Sequence, residues 1–308
     1  MKKIILMSLL AAGLLTGCGN EKKTEVPGHF CIGFQLYSVR TELAKDFYGT
    51  LKRVSDLGYQ GVEFYDEFHG HSMTEVKRMC TELGLIPFSN HVPFAKMMNN
   101  LDQVIEENTI LGVQYITFPY MDTPSRPAVD PEQFKETVAK IGEIGAKVRA
   151  AGFQLLYHNH DFEFAKLPDG TVGHDYIFSS NDPADLQVQL DICWADFAGH
   201  KADELIEKYA GRIPVIHIKD YFLEGEMEGD PYALIGQEND PAAQNRRNAF
   251  EFRPLGTGMM DLPAVIAASA KSGVQWLCVE QDEPAKGVTD RFEGPAVSAA
   301  WLKENGLL

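Results

Sequence analysis

Eight short apolar runs punctuate this chain, and most are followed by a stretch whose apolar residues recur every three or four positions. The runs are 31–39 (CIGFQLYSV), 61–65 (GVEFY), 86–92 (IPFSNHV), 114–120 (QYITFPY), 153–160 (FQLLYHNH), 186–192 (LQVQLDI), 214–220 (PVIHIKD) and 275–281 (QWLCVEQ). Their length and their β-branched and aromatic content predict strands. Helical spacing marks 42–58, 73–85, 101–112, 131–152 and 202–211. Gly58, Gly84, Gly112 and Gly152 each stand just before the next strand, where a glycine closes a helix. Strand–helix alternation repeated eight times over roughly 270 residues predicts an α/β fold of the (β/α)8 TIM-barrel type. A doubly wound open sheet is the competing architecture, but no G-x-G-x-x-G turn follows the first strand. Segment 222–258 is long for a connection and predicts a lid-like insertion at the barrel mouth.

Composition narrows the function classes. The chain has 308 residues, 44% hydrophobic and 23% charged, which suits a globular barrel. Its formal net charge is −16, and it holds no long basic run, so nucleic acid is excluded as an expected partner. At the N-terminus, Lys2 and Lys3 precede the apolar stretch Ile4–Leu15, which is too short to span a bilayer comfortably. It ends in Leu15-Thr16-Gly17-Cys18, which resembles a bacterial lipoprotein signal. That resemblance implies removal of residues 1–17, a lipid on Cys18, a polar tether to residue 30 and a catalytic barrel from 31 to 308. It also implies export, with a lipid-anchored protein facing the periplasm or the cell surface. Cys31, Cys80, Cys193 and Cys278 remain in the barrel, and their spacing matches no compact disulfide framework. They are expected to be mostly buried free thiols.

The chemistry lies at the strand ends. His158, Asp191, His217 and Glu280 each stand near the C-terminal end of an apolar run. In a parallel barrel these ends converge on one mouth, so side chains distant in sequence can meet around one ion. Any one of them alone reads equally as a satisfied buried polar group, because an ionisable residue at a core strand end must be paired or metal-bound. Four in four successive strands predict a site for one divalent ion. Mixed carboxylate and imidazole donors suit Mn2+, Zn2+, Co2+ or Mg2+.

The segments "YHNHDFEF", "LDICWADFAG", "IHIKD" and "VEQDE" resemble the xylose isomerase-like TIM barrels, over roughly residues 31–305. That superfamily includes sugar-phosphate isomerases and epimerases, inosose dehydratases and type IV endonucleases. The resemblance implies metal ligands of the order Glu, Asp, His, Glu from strands five to eight. Asp191, His217 and Glu280 match the last three. The first position departs, with His158 there and His160 as the alternate. Trp194 stands where the endonuclease branch carries a histidine, which argues against nuclease chemistry.

Other candidates follow from position. Glu63 and His160 are candidate bases, and Lys219 shares the inward face of its strand with His217 and is a candidate for stabilising an enediolate. His91, Trp194 and Arg253 are candidate substrate contacts, Arg253 opening a "RPLGTGMMD" turn that resembles the family's Gly-x-Gly turn. Tyr37 and Gln35 line the pocket or pack in the core, and Asp220 orients its neighbours. His69, His71, His174 and His200 read as surface residues, with His69 or His71 near enough to reach the mouth. Together these imply a metal-dependent isomerase or epimerase of a small carbohydrate, acting through an enediolate of a sugar or keto-sugar. A lyase, dehydratase or hydrolase of keto-glycosides on the same scaffold is the alternative, and a catalytically inactive, lipid-anchored sugar-binding protein is the alternative of another class.

Overall fold

The computed structural model describes residues 30–225 and 249–308. The expected signal, Cys18 and the expected tether as far as residue 29 lie outside the described residues, as does 226–248 of the predicted insertion. The described residues form ten strands: β1 (Cys31–Gln35), β2 (Gly61–Phe64), β3 (Ile86–His91), β4 (Tyr115–Phe118), β5 (Gln154–His158), β6 (Gln187–Asp191), β7 (Val215–Ile218), β8 (Asp220–Leu223), β9 (Phe250–Arg253) and β10 (Trp276–Val279). Eight of them close into a barrel in the order β1-β10-β7-β6-β5-β4-β3-β2, with every neighbouring pair parallel. This is the (β/α)8 TIM barrel that the periodicity predicts.

Local chemistry explains the elements. Ser72 and Glu75 form a reciprocal capping box that starts helix Met73–Glu82. Asp130 caps helix Pro131–Ala150, whose first residue is a proline that needs no N–H partner there. Gly58, Gly84, Gly112 and Gly152 all take positive φ, as helix-closing glycines do. Strand alternation then sorts the side chains. Ile216 and Ile218 face outward into the main apolar cluster beneath the helices, while His217 points inward. Each such buried aliphatic side chain contributes roughly 1.5–3 kcal/mol.

Inside the barrel the filling changes character from bottom to mouth. The bottom is apolar, with Phe88 stacked on Trp276 at 4.1 Å and 8°, among Tyr115, Leu156 and Val215. Gly33 and Gly61 make room for this plug. A Cβ on Gly33 would lie 2.5 Å from the Phe88 ring, and one on Gly61 would lie 2.7 Å from Trp276. Above the plug come the buried polar side chains Gln35, Glu63, Ser89, Thr117 and Gln189.

The structure departs from the sequence reading at several points. The helix predicted over 42–58 breaks at Asp46, whose extended backbone and carboxylate cap a second helix, Phe47–Leu57. Strand one stops at Gln35 because its side chain accepts the N–H of Tyr37 and turns the chain. Strand seven stops at Ile218. Asp220 instead opens an antiparallel ribbon, β8 against β9, built from the two flanks of the predicted insertion. The four cysteines are free, three of them buried. His174, read as a surface residue, is fully buried, which is a correction. Its ring stacks on Phe164 at 4.7 Å and its Nδ1 donates to the Tyr209 hydroxyl, which itself donates to Asp175. Its helix turns inward on Phe178 and Ile177, so the side chain sits in an aromatic core instead of at an edge. No helix among the described residues is long and apolar enough to cross a membrane.

Two outcomes are expected. Gly33→Ala forces the Phe88–Trp276 stack apart and lowers unfolding stability by about 1–3 kcal/mol in urea titration; unchanged stability would contradict a close-packed plug. Burial pushes the His174 imidazole down to about 3, with Lys208 and His200 adding to the effect and Asp175 opposing it. Between roughly pH 6.5 and 3 the unfolded chain binds a proton there that the folded chain refuses, so stability falls as pH falls. His174→Gln removes that contribution, and urea titrations at several pH values in this window should show a shallower acid-side loss than in the parent. An identical slope would contradict a neutral, buried His174.

Candidate metal centre and cavity

One carboxylate organises the floor of the barrel mouth. Glu63, on β2, is fully buried. Its Oε1 accepts from Gln35 Nε2 at 2.9 Å and from His217 Nε2, and its Oε2 accepts from Gln189 Nε2 at 2.7 Å. His91 Nε2 lies 3.1 Å from the same Oε1. Because the Gln189 amide nitrogen donates to Glu63, its oxygen must face the other way. There it accepts from His91 Nε2 at 2.6 Å and from His158 Nδ1 at 3.1 Å. These bonds set the tautomers. His158 carries its hydrogen on Nδ1 and turns a bare Nε2 toward Asp191 Oδ2, 3.7 Å away. His217 donates Nε2–H to Glu63 and presents Nδ1 to Glu280 Oε2 at 2.6 Å.

Asp191 is placed by its own chain. Its Oδ1 accepts from the N–H groups of Cys193 and Trp194, at 3.0 Å each, which leaves Oδ2 turned into the site. His158, Asp191, His217 and Glu280 thus each offer one ligand atom, and these atoms all lie within 4.8 Å of one another. Two imidazole nitrogens and two carboxylate oxygens suit Zn2+, Mn2+ or Co2+. The Glu63–His217 pair supplies the outer carboxylate that commonly orients a ligating histidine. Asp191 Oδ2 is buried and, among the described residues, accepts no regular hydrogen bond, although the Lys219 ammonium lies 2.7 Å away. The residues present therefore fit a divalent ion.

Charge is tightly balanced here. Burial alone would raise Glu63, but the His91 and His217 imidazoles hold it well below the usual carboxylate range. Burial would lower His217, yet Glu63, Cys278 and Glu280 hold it well above the usual imidazole range. Burial, then repulsion from His217 and His91, pushes His158 down, so its ring is neutral. Lys219 is 1% exposed; burial opposes its charge, but Asp191, Asp282 and Glu280 keep the ammonium protonated. It lies 2.7 Å from Glu280 and 3.1 Å from Asp282.

Above this floor opens a cavity of about 840 Å3. His91, His158, His160, Trp194, Lys219 and Glu280 all line it. His160 follows β5 instead of belonging to it. Its backbone N–H donates to the buried Glu163 at 2.8 Å, and its ring stacks on Phe162 and meets Tyr120 edge-on. Burial and the Lys219 charge push its imidazole down, and its Nδ1 has no hydrogen-bond partner among the described residues. Trp194 packs parallel to Phe250 of the ribbon at 5.6 Å, so β9 supplies one wall.

Two candidates fall elsewhere. Glu63, a candidate base in the sequence, does not line the cavity; its oxygens are taken by Gln35, Gln189 and His217. Arg253 does not line the cavity either. It pairs with Glu251, which does line the cavity, and lies over Phe222. Tyr37 reaches the cavity while Gln35 stays with Glu63. His69 and His71 pack around Phe47 and do not line the cavity. Two contributors escaped the sequence reading. Asp282 lines the cavity beside Lys219, and burial with Glu280 and Asp191 raises its carboxyl to about 7 against the pull of Lys219. It stands two residues past Glu280, the spacing that a strand face would have flagged. Gln189 stands two residues before Asp191 and could have been found in the same way.

A family model described as xylose isomerase-like TIM barrel matches residues 51–305. An inosose dehydratase of Lacticaseibacillus casei is 24% identical over 166 residues, 52% of this chain and 51% of that protein, so the chain spans about half the length of the curated relatives it matches. The structure of a sugar phosphate isomerase/epimerase from Parabacteroides distasonis is similar with a TM-score of 0.69 at 22% identity, over 92% of this chain and 96% of that one. A protein named IOLI, solved with a bound zinc atom, is similar with a TM-score of 0.63 at 16% identity, over 90% of this chain and 98% of that one. The closed parallel barrel and the match over most of its length show that the chain belongs to the xylose isomerase-like TIM barrel family.

Proposed function

We propose that this protein is a divalent-metal-dependent enzyme that removes and returns a proton beside the carbonyl of a sugar or keto-sugar, giving an isomer or epimer. The observation that carries this reading is the convergence of His158, Asp191, His217 and Glu280 at the floor of a cavity roomy enough for a sugar. His158 Nε2, Asp191 Oδ2, His217 Nδ1 and Glu280 Oε2 would hold the ion. When bound, such an ion supplies Lewis-acid polarisation of the carbonyl oxygen and acidifies the neighbouring C–H. The chain's own groups do the rest. Neutral His160, facing the cavity, accepts the proton. The Lys219 ammonium, fixed by three carboxylates, stabilises the negative charge that develops on oxygen. His91, held by Gln189, faces the same space and contacts substrate oxygens. The aromatic wall of Trp194 and Phe250 limits water.

A second reading is a lyase. The same proton removal, followed by loss of a group from the adjacent carbon, gives elimination instead of isomerisation. The histidine at the strand-five position and the curated inosose dehydratase relatives favour it. Asp282 would be the acid at the departing oxygen, 3.1 Å from Lys219. In either case Cys18 would carry the lipid that keeps the enzyme at a membrane surface, where free sugars and glycosides meet it.

Proton removal is tested by hydrogen exchange in D2O, followed by proton NMR on fructose, scyllo-inosose and 3-keto-glucose with Mn2+ or Zn2+ present. Exchange of a C–H beside the carbonyl is expected, falling about 10²–10⁴-fold in His160→Ala. New signals of an epimer indicate the first reading, and signals of an unsaturated product the second. Binding of these sugars with no exchange would instead point to a sugar-binding protein.

A further inference from the structure

The turn Gly256-Thr257-Gly258 lies between the seventh and eighth barrel strands, where barrels of this type frequently bind phosphate through backbone N–H groups. Here those groups are already engaged. Asp220 Oδ2 accepts from Gly256 N at 3.0 Å and Gly258 N at 2.9 Å, and its Oδ1 accepts from Tyr221 N at 2.9 Å and Met260 N at 3.1 Å. The carboxylate is buried, and a Cβ on Gly258 would lie 2.1 Å from it, so no second anion fits beside it.

Among the described residues, the cavity offers a phosphate no better place. Of its cations, Lys219 is held by Asp191, Glu280 and Asp282, and Lys286 is partnered as well. Arg40 and Arg291 approach the rim but are both engaged by Glu283. Four carboxylates, Glu251, Glu280, Asp282 and Glu283, line the same space. With these cations already paired, a phosphorylated sugar would have to displace a carboxylate from its partner.

Size and shape point to what is accepted. About 840 Å3 stands in the upper part of the range, roughly 300–1,000 Å3, that encloses ligands of several rings. One sugar ring on the floor leaves the outer part to be filled, and that part is aromatic. Tyr37 and Tyr120 line it while 39% and 47% exposed. Both rings are held in place: Arg40 stacks on Tyr37 at 4.1 Å with Tyr65 edge-on at 5.5 Å, and Tyr120 meets His160 at 5.9 Å. They rise from β1 and β4, three strands apart around the barrel, so they stand on different sides of the mouth. Held, exposed aromatic faces suit a flat ring with an apolar face.

We propose that the substrate is an uncharged glycoside whose carbonyl-bearing sugar, reducing or keto, lies at the floor, with a second ring, sugar or aryl, seated at the Tyr37 and Tyr120 faces. Which ring lies at the floor rests on the enzymatic reading above; the seat itself does not. The test is calorimetric binding to the full chain in detergent micelles with Mn2+, using glucose, glucose 6-phosphate, cellobiose and 4-nitrophenyl β-glucopyranoside. At least one two-ring ligand is expected to bind about tenfold tighter than glucose, the amount one good stacking contact gives. Glucose 6-phosphate is expected to bind no tighter than glucose. In Tyr37→Ala/Tyr120→Ala, checked for unchanged thermal unfolding, the two-ring advantage falls to about onefold. Whether cellobiose or the nitrophenyl glycoside gains more identifies the second ring. Tighter binding of glucose 6-phosphate, no advantage of either two-ring ligand, an advantage that survives the double substitution, or no binding of any of the four overturns the proposal. Because binding and not turnover is read, a protein that shows the tenfold ratio but exchanges no proton would overturn the enzymatic reading alone.

Discussion

A negative charge buried at the centre of a barrel must be satisfied on every side, and Glu63 is that charge. Its two oxygens receive Gln35, Gln189 and His217, with His91 close by. An unpaired carboxylate there would cost several kcal/mol or take up a proton. The bonds that prevent this also decide which nitrogen of each histidine faces the cavity. Gln189 passes the constraint on, because an amide that donates to Glu63 can only accept from His91 and His158. The orientation of the two candidate histidine ligands is therefore inherited from one residue that does not line the cavity.

The barrel divides its labour along its axis. The Phe88–Trp276 stack seals the bottom, and two glycines leave space for it. The polar middle layer fixes side-chain direction. The mouth carries the charges, where Lys219 offsets the carboxylates that would otherwise repel one another. The ribbon of β8 and β9, pinned by Asp220, lays an aromatic wall along one side.

The strands and their order of use were legible because alternation in a parallel barrel is strict: one face packs under helices and the other fills the lumen. That rule also placed His158, Asp191, His217 and Glu280 at one end. It did not show which polar residue points at the cavity and which stands behind it, since Glu63 is registered with Ser89, one inward layer below His91, and the register between strands cannot be read from either run alone. Arg253 was read as a substrate contact because no local pattern shows that Glu251, two residues before it on the same strand, takes up its guanidinium. His174 was misread because burial of a single histidine depends on a neighbouring hydroxyl and rings that no local pattern reveals. Asp282 and Gln189 were open to the same alternation rule.

The centre itself is tested most directly by counting ions in the purified full chain by inductively coupled plasma mass spectrometry, beside an Asp191→Ala/Glu280→Ala variant of matching circular dichroism. About one divalent ion per chain in the parent, and none in the variant, is the expected result for four converging ligands. Absence of a stoichiometric ion in the parent after dialysis against Mn2+ and Zn2+, or its retention in the variant, would contradict the centre drawn here.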